Sequence, residues 1–338
     1  MCIIIYNNCD NFILVSYTLL VQIQEYKIFM FGFKFIKKTA SNIVISIFYY
    51  YLKYLLWIFN CREILTASET LRGASFNFNA FYKQHFYIDP KWLQWFIGFS
   101  EGDGALLKDK DGRISFILTQ NESKILYHIK DILGFGNVTF DIKANTYRYK
   151  VLDNSSLFKL ALLFNGNIFL SHRINQLSEW IKILNSKSYS IVFNSNKLTI
   201  SLFDAWLSGF TDAEGCFNVS IYSEPRYKLG FKTRIRFILD QNDKLALCFI
   251  RGLLDTGYVS KRSGNLTTFR YTADGYSKLG QIFSYFDSFP LKTIKQQAFT
   301  KWSEIHSLIL SKKHLNTNGL AKIRILAKLI NDKSDINS

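Results

Sequence analysis

The chain writes nearly the same ten residues twice, WFIGFSEGDG at 95–104 and WLSGFTDAEG at 206–215. The segments after each stretch keep the same order. ISFILTQNESKILYHIKDILGFGNV (114–138) answers to IRFILDQNDKLALCFIRGLLDTGYV (235–259), YRYKV (147–151) to FRYTA (269–273), and SHRINQLSEW (171–180) to TIKQQAFTKW (293–302). From Asp89 onward the chain is one unit written twice. Each copy reads as helix, strands, helix, strands and helices, with a Gln-Asn turn and a glycine turn between them, an α+β pattern. The copies differ in one place. Ten extra residues stand between box and strand in the second copy, around SEPRYKLGFKTR, as either a longer hairpin loop or a longer basic β-ribbon.

Each box reads as the end of a hydrophobic helix. Asp89-Pro90 supplies an N-cap and a proline at the first helical position, Ser201 with Asp204 resembles a capping box, and Gly104 and Gly215 suit helix termination. Small residues recur four apart, Gly98 with Gly102 and Gly209 with Ala213, so each helix has a face on which another backbone can come close. Packing these faces together brings Asp103 and Glu214 to two converging helix C-termini, where the local field already disfavours negative charge. A divalent cation relieves that conflict, and carboxylate and carbonyl oxygens suit Mg²⁺. Such a cation activates water and steadies the charge that develops when a phosphodiester is cut. The alternative is a packed helix pair with solvated acids at its tips; two matching boxes in a basic chain favour the functional reading.

Lys and Arg outnumber Asp and Glu by 42 to 26, a formal charge of +16 over 338 residues, while 48% of the chain is hydrophobic. That is enough apolar material for real cores, and the excess positive charge points to a polyanionic partner, nucleic acid before membrane. The five cysteines form no CxxC pair, so neither a zinc framework nor a disulfide grid is expected. Cys216, directly after the second box, reads as a strand side chain and not as a nucleophile. Abundant Phe, Tyr, Ile, Asn and Lys have AT-rich codons, which suggests an organellar gene. NIVISIFYYYLKYLLWIF (42–59) invites a membrane span, but Lys53 interrupts it, and residues 1–75 are expected to form a hydrophobic leader and linker without stable membrane association.

FIGFSEGDG (96–104) and LSGFTDAEG (207–215) resemble the two motifs of a single-chain LAGLIDADG homing endonuclease of the organellar intron-encoded type. The resemblance extends over 76–330 and takes in FNGN (164–167), FPLKTIK (289–295) and KKHLNTNGLAKI (312–323). It implies an α+β fold of tandem αββαββα repeats, halves at 76–190 and 191–338, about a pseudo-twofold axis. The strands then form a β-saddle in the DNA major groove. It further implies a monomer that makes a double-strand break in a long, partly asymmetric site by Mg²⁺- or Mn²⁺-dependent hydrolysis in the mitochondrial matrix. The alternative partner is host intron RNA, bound by a maturase.

The resemblance assigns roles residue by residue. Asp103 and Glu214 carry the metal chemistry, and the carbonyls of Gly102 and Ala213 face the ions. Glu101 and Asp212 take a structural role at the helix ends. Gln120, Gln241, Arg173 and Lys295 organise water or stabilise the transition state, the last two being paired by alignment on Trp180 and Trp302. Arg113, Lys143, Arg148, Arg226, Lys228 and Lys232 are expected at the DNA. Arg234, Arg236, Lys261, Arg262 and Arg270 complete that set, about half of them facing bases.

Overall fold

The computed structural model describes residues 76–330 except Leu266, all within one compact unit, Ala74–Ser338. The expected leader at 1–75, with its apolar run at 42–59, lies outside the described residues. After a short helix α1 (Asn79–Tyr82), the first copy runs α2 (Pro90–Asp103), β1 (Gly104–Lys108), β2 (Ile114–Gln120), α3 (Ser123–Leu133), β3 (Asn137–Asp141), β4 (Thr146–Val151), α4 (Asn154–Phe164) and α5 (Ser171–Ser186). The second copy runs α6 (Trp206–Glu214), β5 (Gly215–Ser223), β6 (Phe231–Gln241), α7 (Lys244–Leu254), β7 (Tyr258–Lys261), β8 (Phe269–Asp274), α8 (Gly280–Ser288) and α9 (Lys295–Leu310). A further helix, α10 (Thr317–Ile330), packs on α9 and β5. Among the described residues no helix is long and apolar enough to cross a membrane.

The two box helices, α2 and α6, lie against each other at the centre. A Cβ added to Gly98 would sit 2.1 Å from the Trp206 carbonyl oxygen, and one added to Gly209 would sit 1.8 Å from that of Trp95. Both distances are far inside van der Waals contact, so the backbones approach where side chains are missing. Each contact has its counterpart in the other copy, which is what an approximate twofold axis between the repeats produces.

Local signals set the ends of these helices, with two differences from the sequence reading. Asp89 caps α2 by accepting from the Trp92 N–H at 3.1 Å, with Pro90 at the first position. Helix α6, however, begins at Trp206 and not beside Ser201. Asp204 closes a turn on itself by accepting from the Ser201 N–H at 2.7 Å, and its other oxygen accepts from the Trp206 N–H at 3.1 Å. Gly104 and Gly215 do end the helices, but in extended backbone, so the chain passes directly into a strand. Glycine is needed there for space: a Cβ would lie 2.3 Å from Ser100 O or 2.4 Å from Thr211 Cγ2.

Both sheets are antiparallel with the same order, β1-β2-β4-β3 and β5-β6-β8-β7. Alternation gives each sheet a helix-covered face and an open one. In β6 the core takes Ile235, Phe237 and Leu239, while Lys232, Arg234 and Arg236 face outward; in β4 Tyr149 and Val151 are buried opposite Arg148 and Lys150. The ten-residue difference between copies is absorbed mostly by strand. β5 and β6 have 9 and 11 residues where β1 and β2 have 5 and 7, so the second copy carries a longer β-ribbon and not only a longer loop. Apolar aromatics fill the core, with Trp95, Trp180, Trp206 and Trp302 among its largest buried side chains.

Candidate active site

Asp103 and Glu214 are the last residues of α2 and α6, and the close approach of those helices brings them together. A Cβ on Gly102 would lie 2.3 Å from Ala213 Cβ and 3.1 Å from Glu214 Cγ. Gln120, at the end of β2, donates from Nε2 to Asp103 Oδ2, and Gln241, at the end of β6, donates to Glu214 Oε1 at 3.5 Å. Burial pushes the Asp103 carboxyl up to about 6, against the opposing effects of Lys295 and the Gln120 hydrogen bond. Burial, reinforced by the charge of Asp103, pushes Glu214 up to about 7 while Lys295 opposes. Asp103, together with Ala213 and Gly215 on either side of Glu214, borders an open cleft of about 560 Å³, lined from both copies by Gln120, Glu122, Cys216 and Lys295 among others.

Arg173 and Lys295 occupy equivalent places in the first turns of α5 and α9. Arg173 donates to the Glu101 carbonyl from Nε and Nη2, both at 3.2 Å, and from Nη2 to the Gly102 carbonyl at 3.4 Å. Lys295 Nζ donates to the Thr211 carbonyl at 3.2 Å and to that of Ala213 at 2.7 Å. The two carbonyls expected at the metals therefore accept from cationic side chains in the protein alone. A positive group at the negative end of a helix is the favourable arrangement. Burial pulls the Lys295 ammonium down, and Asp103, Asp212 and Glu214 counter it.

The sixth box positions hold the assembly together. Glu101 is buried and accepts from the Phe169 N–H at 3.0 Å, the Leu170 N–H at 2.6 Å and the Trp206 indole at 2.6 Å. Asp212 accepts from the Lys292 N–H at 2.7 Å, the Thr293 hydroxyl at 2.5 Å and the Trp95 indole at 2.7 Å. Each acid thus anchors the loop that leads into its own copy's last helix, and so sets where Arg173 or Lys295 stands. Each also takes one hydrogen bond from a tryptophan of the other copy.

The expected DNA set divides by position. Arg148, Lys232, Arg234, Arg236 and Arg270 stand on the open strand faces. Arg113, Lys143, Arg226, Lys228 and Arg262 lie in hairpin turns outside the strands. Lys261, the last residue of β7, has the same parity as the inward Val259, so alternation turns it off the open face. Lys150 shares the open face with Arg148 and escapes the sequence reading, although a spacing of two in a strand would find it. Glu122 escapes it as well; its carboxylate accepts from the Ile294 N–H of the other copy at 2.9 Å, a contact across 172 residues that no local pattern announces. Cys216, near the start of β5, lines the cleft, where the surrounding protein partly desolvates its thiol and pushes it up, as befits a strand side chain.

The sequence profile described as "LAGLIDADG endonuclease" matches residues 96–184 and again 207–306. The chain belongs to the LAGLIDADG endonuclease family. It is 37% identical over 263 residues to "Probable intron-encoded endonuclease 4" of Neurospora crassa, a match that covers 75% of this chain and 46% of the relative, so it spans about half of that protein's length. It is 24% identical over 241 residues to the "Uncharacterized cox1 intron-2 37.2 kDa protein" of Schizosaccharomyces pombe, covering 70% and 72% of the two chains. Among solved structures it is similar to the LAGLIDADG meganuclease I-AabMI bound to uncleaved DNA, with a TM-score of 0.60, 22% identity and coverage of 72% and 100%. The LAGLIDADG homing endonuclease I-LtrWI bound to target DNA gives a TM-score of 0.57 at 22% identity, covering 72% and 99%. The shared fold is the tandem repeat of two four-stranded sheets.

The site's donors fit a hard divalent cation. They are oxygens only, two carboxylates with backbone carbonyls beside them, and the carboxylates are ones that burial and neighbouring acids make costly to charge without a counter-ion. Among the described residues no group of three or more His, Cys, Asp and Glu side chains is placed to form a metal cage.

Proposed function

We propose that this LAGLIDADG protein is a site-specific homing endonuclease that makes a double-strand break in duplex DNA by Mg²⁺-dependent hydrolysis. The observation that carries this reading is the meeting of Asp103 and Glu214 at two converging helix ends, between the cationic groups of Arg173 and Lys295. Both acids being kept there favours cutting over RNA binding alone.

Asp103 and Glu214 would hold the cations, with the carbonyls of Gly102 and Ala213 turning to them when Arg173 and Lys295 turn to the phosphates. The cation, when bound, supplies Lewis acidity toward phosphate oxygens and makes water more acidic. Gln120 and Gln241 hold the carboxylates in place and have amide groups left to orient water. Arg173 and Lys295 offset the negative charge that develops on the phosphate. Two centres related by the twofold axis suit two strands of one duplex, one cut in each.

In this reading residues 76–190 and 191–338 form the two halves, and the open strand faces form the saddle. The unequal ribbons favour a long, partly asymmetric site. A single chain holds both acids, so it works as a monomer. Relatives from cox1 and ND4 introns support a mitochondrial setting. The test is to incubate the full chain with a randomised duplex library, with Mg²⁺ and with EDTA in parallel. A long site cut only in the presence of metal is the expected result; a folded protein that binds nucleic acid and cuts nothing overturns the reading.

A further inference from the structure

The open face of the second sheet carries three arginines held in one way. Arg270 on β8 donates from Nε and Nη2 to Asp240 Oδ1 and Oδ2, both at 2.7 Å. Arg234 on β6 donates from Nε to Asp274 Oδ2 at 2.9 Å and from Nη2 to the same oxygen. Arg236, also on β6, donates from Nε at 3.1 Å and from Nη2 at 2.6 Å to Asn218 Oδ1, and Nη2 makes a longer contact of 3.3 Å to the Ser220 hydroxyl, which a base can displace. In each, the Nε edge of the guanidinium is occupied by a same-face neighbour. Among the described residues Nη1 of Arg270 and of Arg236 makes no hydrogen bond, and Arg234 has the Tyr258 hydroxyl beside it as a further partner.

A guanidinium held along its Nε edge still presents a two-pronged donor fork between Nη1 and Nη2. Guanine O6 and N7 accept such a fork in the major groove, and no other base edge offers two acceptors side by side there. Holding the side chain beforehand removes the cost of ordering it on binding. The first sheet is built differently. Its open face carries Ile117, Thr119 and Thr139 around Lys150 and a single arginine, Arg148, whose Nη2 meets Asp141 at 2.9 Å and whose buried Nε has no partner. Isoleucine and the threonine methyls suit thymine methyl groups.

We propose, resting on the nuclease reading above, that Asp240, Asp274 and Asn218 are specificity-determining residues that hold Arg270, Arg234 and Arg236 to read guanine. The DNA half under the second sheet then carries three guanine positions, and the half under the first does not. Spacing is set by the strands. Arg234 and Arg236 are two residues apart on β6, and Arg270 pairs with Asp240, four residues beyond Arg236. At ~3.4 Å per residue and ~3.4 Å per base pair, the guanines fall about two and about four steps apart. Arg270 reads the innermost, because Asp240 adjoins Gln241, whose amide reaches Glu214.

The test uses the full chain with Mg²⁺ and duplexes randomised in both halves, sequencing the cut products and, in parallel with EDTA, the duplexes retained on the protein. Three guanine positions enriched in one half at this spacing are expected. Asp240→Ala should lower enrichment at the innermost position by about tenfold, and Asp274→Ala should lower it at the outermost by a similar factor. Retained or cut duplexes without guanine enrichment overturn the proposal, as does enrichment that neither variant moves. Enrichment of cytosine lost with Asp240→Ala would assign the reading to the acid and overturn it too. If duplexes are retained with guanine enrichment but never cut, the inference stands and the nuclease reading fails; if none is retained or cut, both fail.

Discussion

Trp95 of the first copy donates its indole N–H to Asp212 of the second at 2.7 Å, and Trp206 of the second returns the bond to Glu101 of the first at 2.6 Å. The same two acids pin the loops that place Arg173 and Lys295. Association of the repeats and assembly of the candidate cleft therefore share one set of buried hydrogen bonds.

Removing one indole donor should cost stability. Trp206→Phe keeps most of the buried ring and leaves Glu101 with its backbone donors only. Above about pH 7, where Glu101 is ionised, the loss expected is ~1.5–3 kcal/mol, that of a hydrogen bond to a buried charged group. Urea unfolding of wild type and variant measures it; an unchanged midpoint would show that the bond contributes nothing.

The helix contact should tolerate no side chain. Gly209→Ala would place a Cβ 1.8 Å from the Trp95 carbonyl oxygen, so α2 and α6 must separate. A destabilisation of ~3 kcal/mol or more is expected, at the upper end of overpacking effects, together with loss of cleavage. Thermal melting and a cleavage assay on the same preparation test both; a variant as stable and active as wild type rules out this contact geometry.

Charge removal at the helix tips should separate cutting from binding. Asp103→Asn or Glu214→Gln should abolish double-strand cleavage while duplex affinity, measured at one salt concentration, changes little. Wild-type cutting rates in either variant would remove these residues from the site.

Stability without metal should fall as pH rises. Burial holds Glu101, Asp103 and Glu214 at about 7, 6 and 7, above their ordinary values of 4.5, 3.8 and 4.5. Groups raised in the folded state support folding while protonated, so their contribution is complete below about pH 4 and is lost as pH climbs through about 6 to 7. In EDTA the melting temperature should therefore drop over that window. If Asp103 and Glu214 hold Mg²⁺ as proposed, their deprotonated forms bind it, and the ion should raise the melting temperature more at about pH 8 than at about pH 5.5. An equal rise at both values would mean that the cation does not bind these carboxylates.

Much of this site is legible in the sequence because repetition supplies its own alignment. The pairings Asp103 with Glu214, Gln120 with Gln241, and Arg173 with Lys295 come from counting residues in two copies of one unit, and small residues four apart mark the contact face. Strand alternation is equally local, and it places Lys150 beside Arg148 and turns Lys261 away. The contacts that cross between copies are of another kind. Glu122 reaching the Ile294 N–H, and each box tryptophan reaching the other box's acid, join residues far apart in the chain, and no spacing encodes which pairs will meet.

The sequence by itself determined the local and the periodic: two copies, their helices and strands, the glycine faces and the acids at the helix ends. Backbone propensity, capping and side-chain period act over a few residues, so they can be read in order along the chain. Only the tertiary structure decided that Arg173 and Lys295 rest on box carbonyls, that Glu101 and Asp212 join the copies, and that three arginines of one sheet are held by neighbouring strands. Those outcomes depend on distances set by packing two helices backbone to backbone and by the register of paired strands, and both are properties of the folded whole.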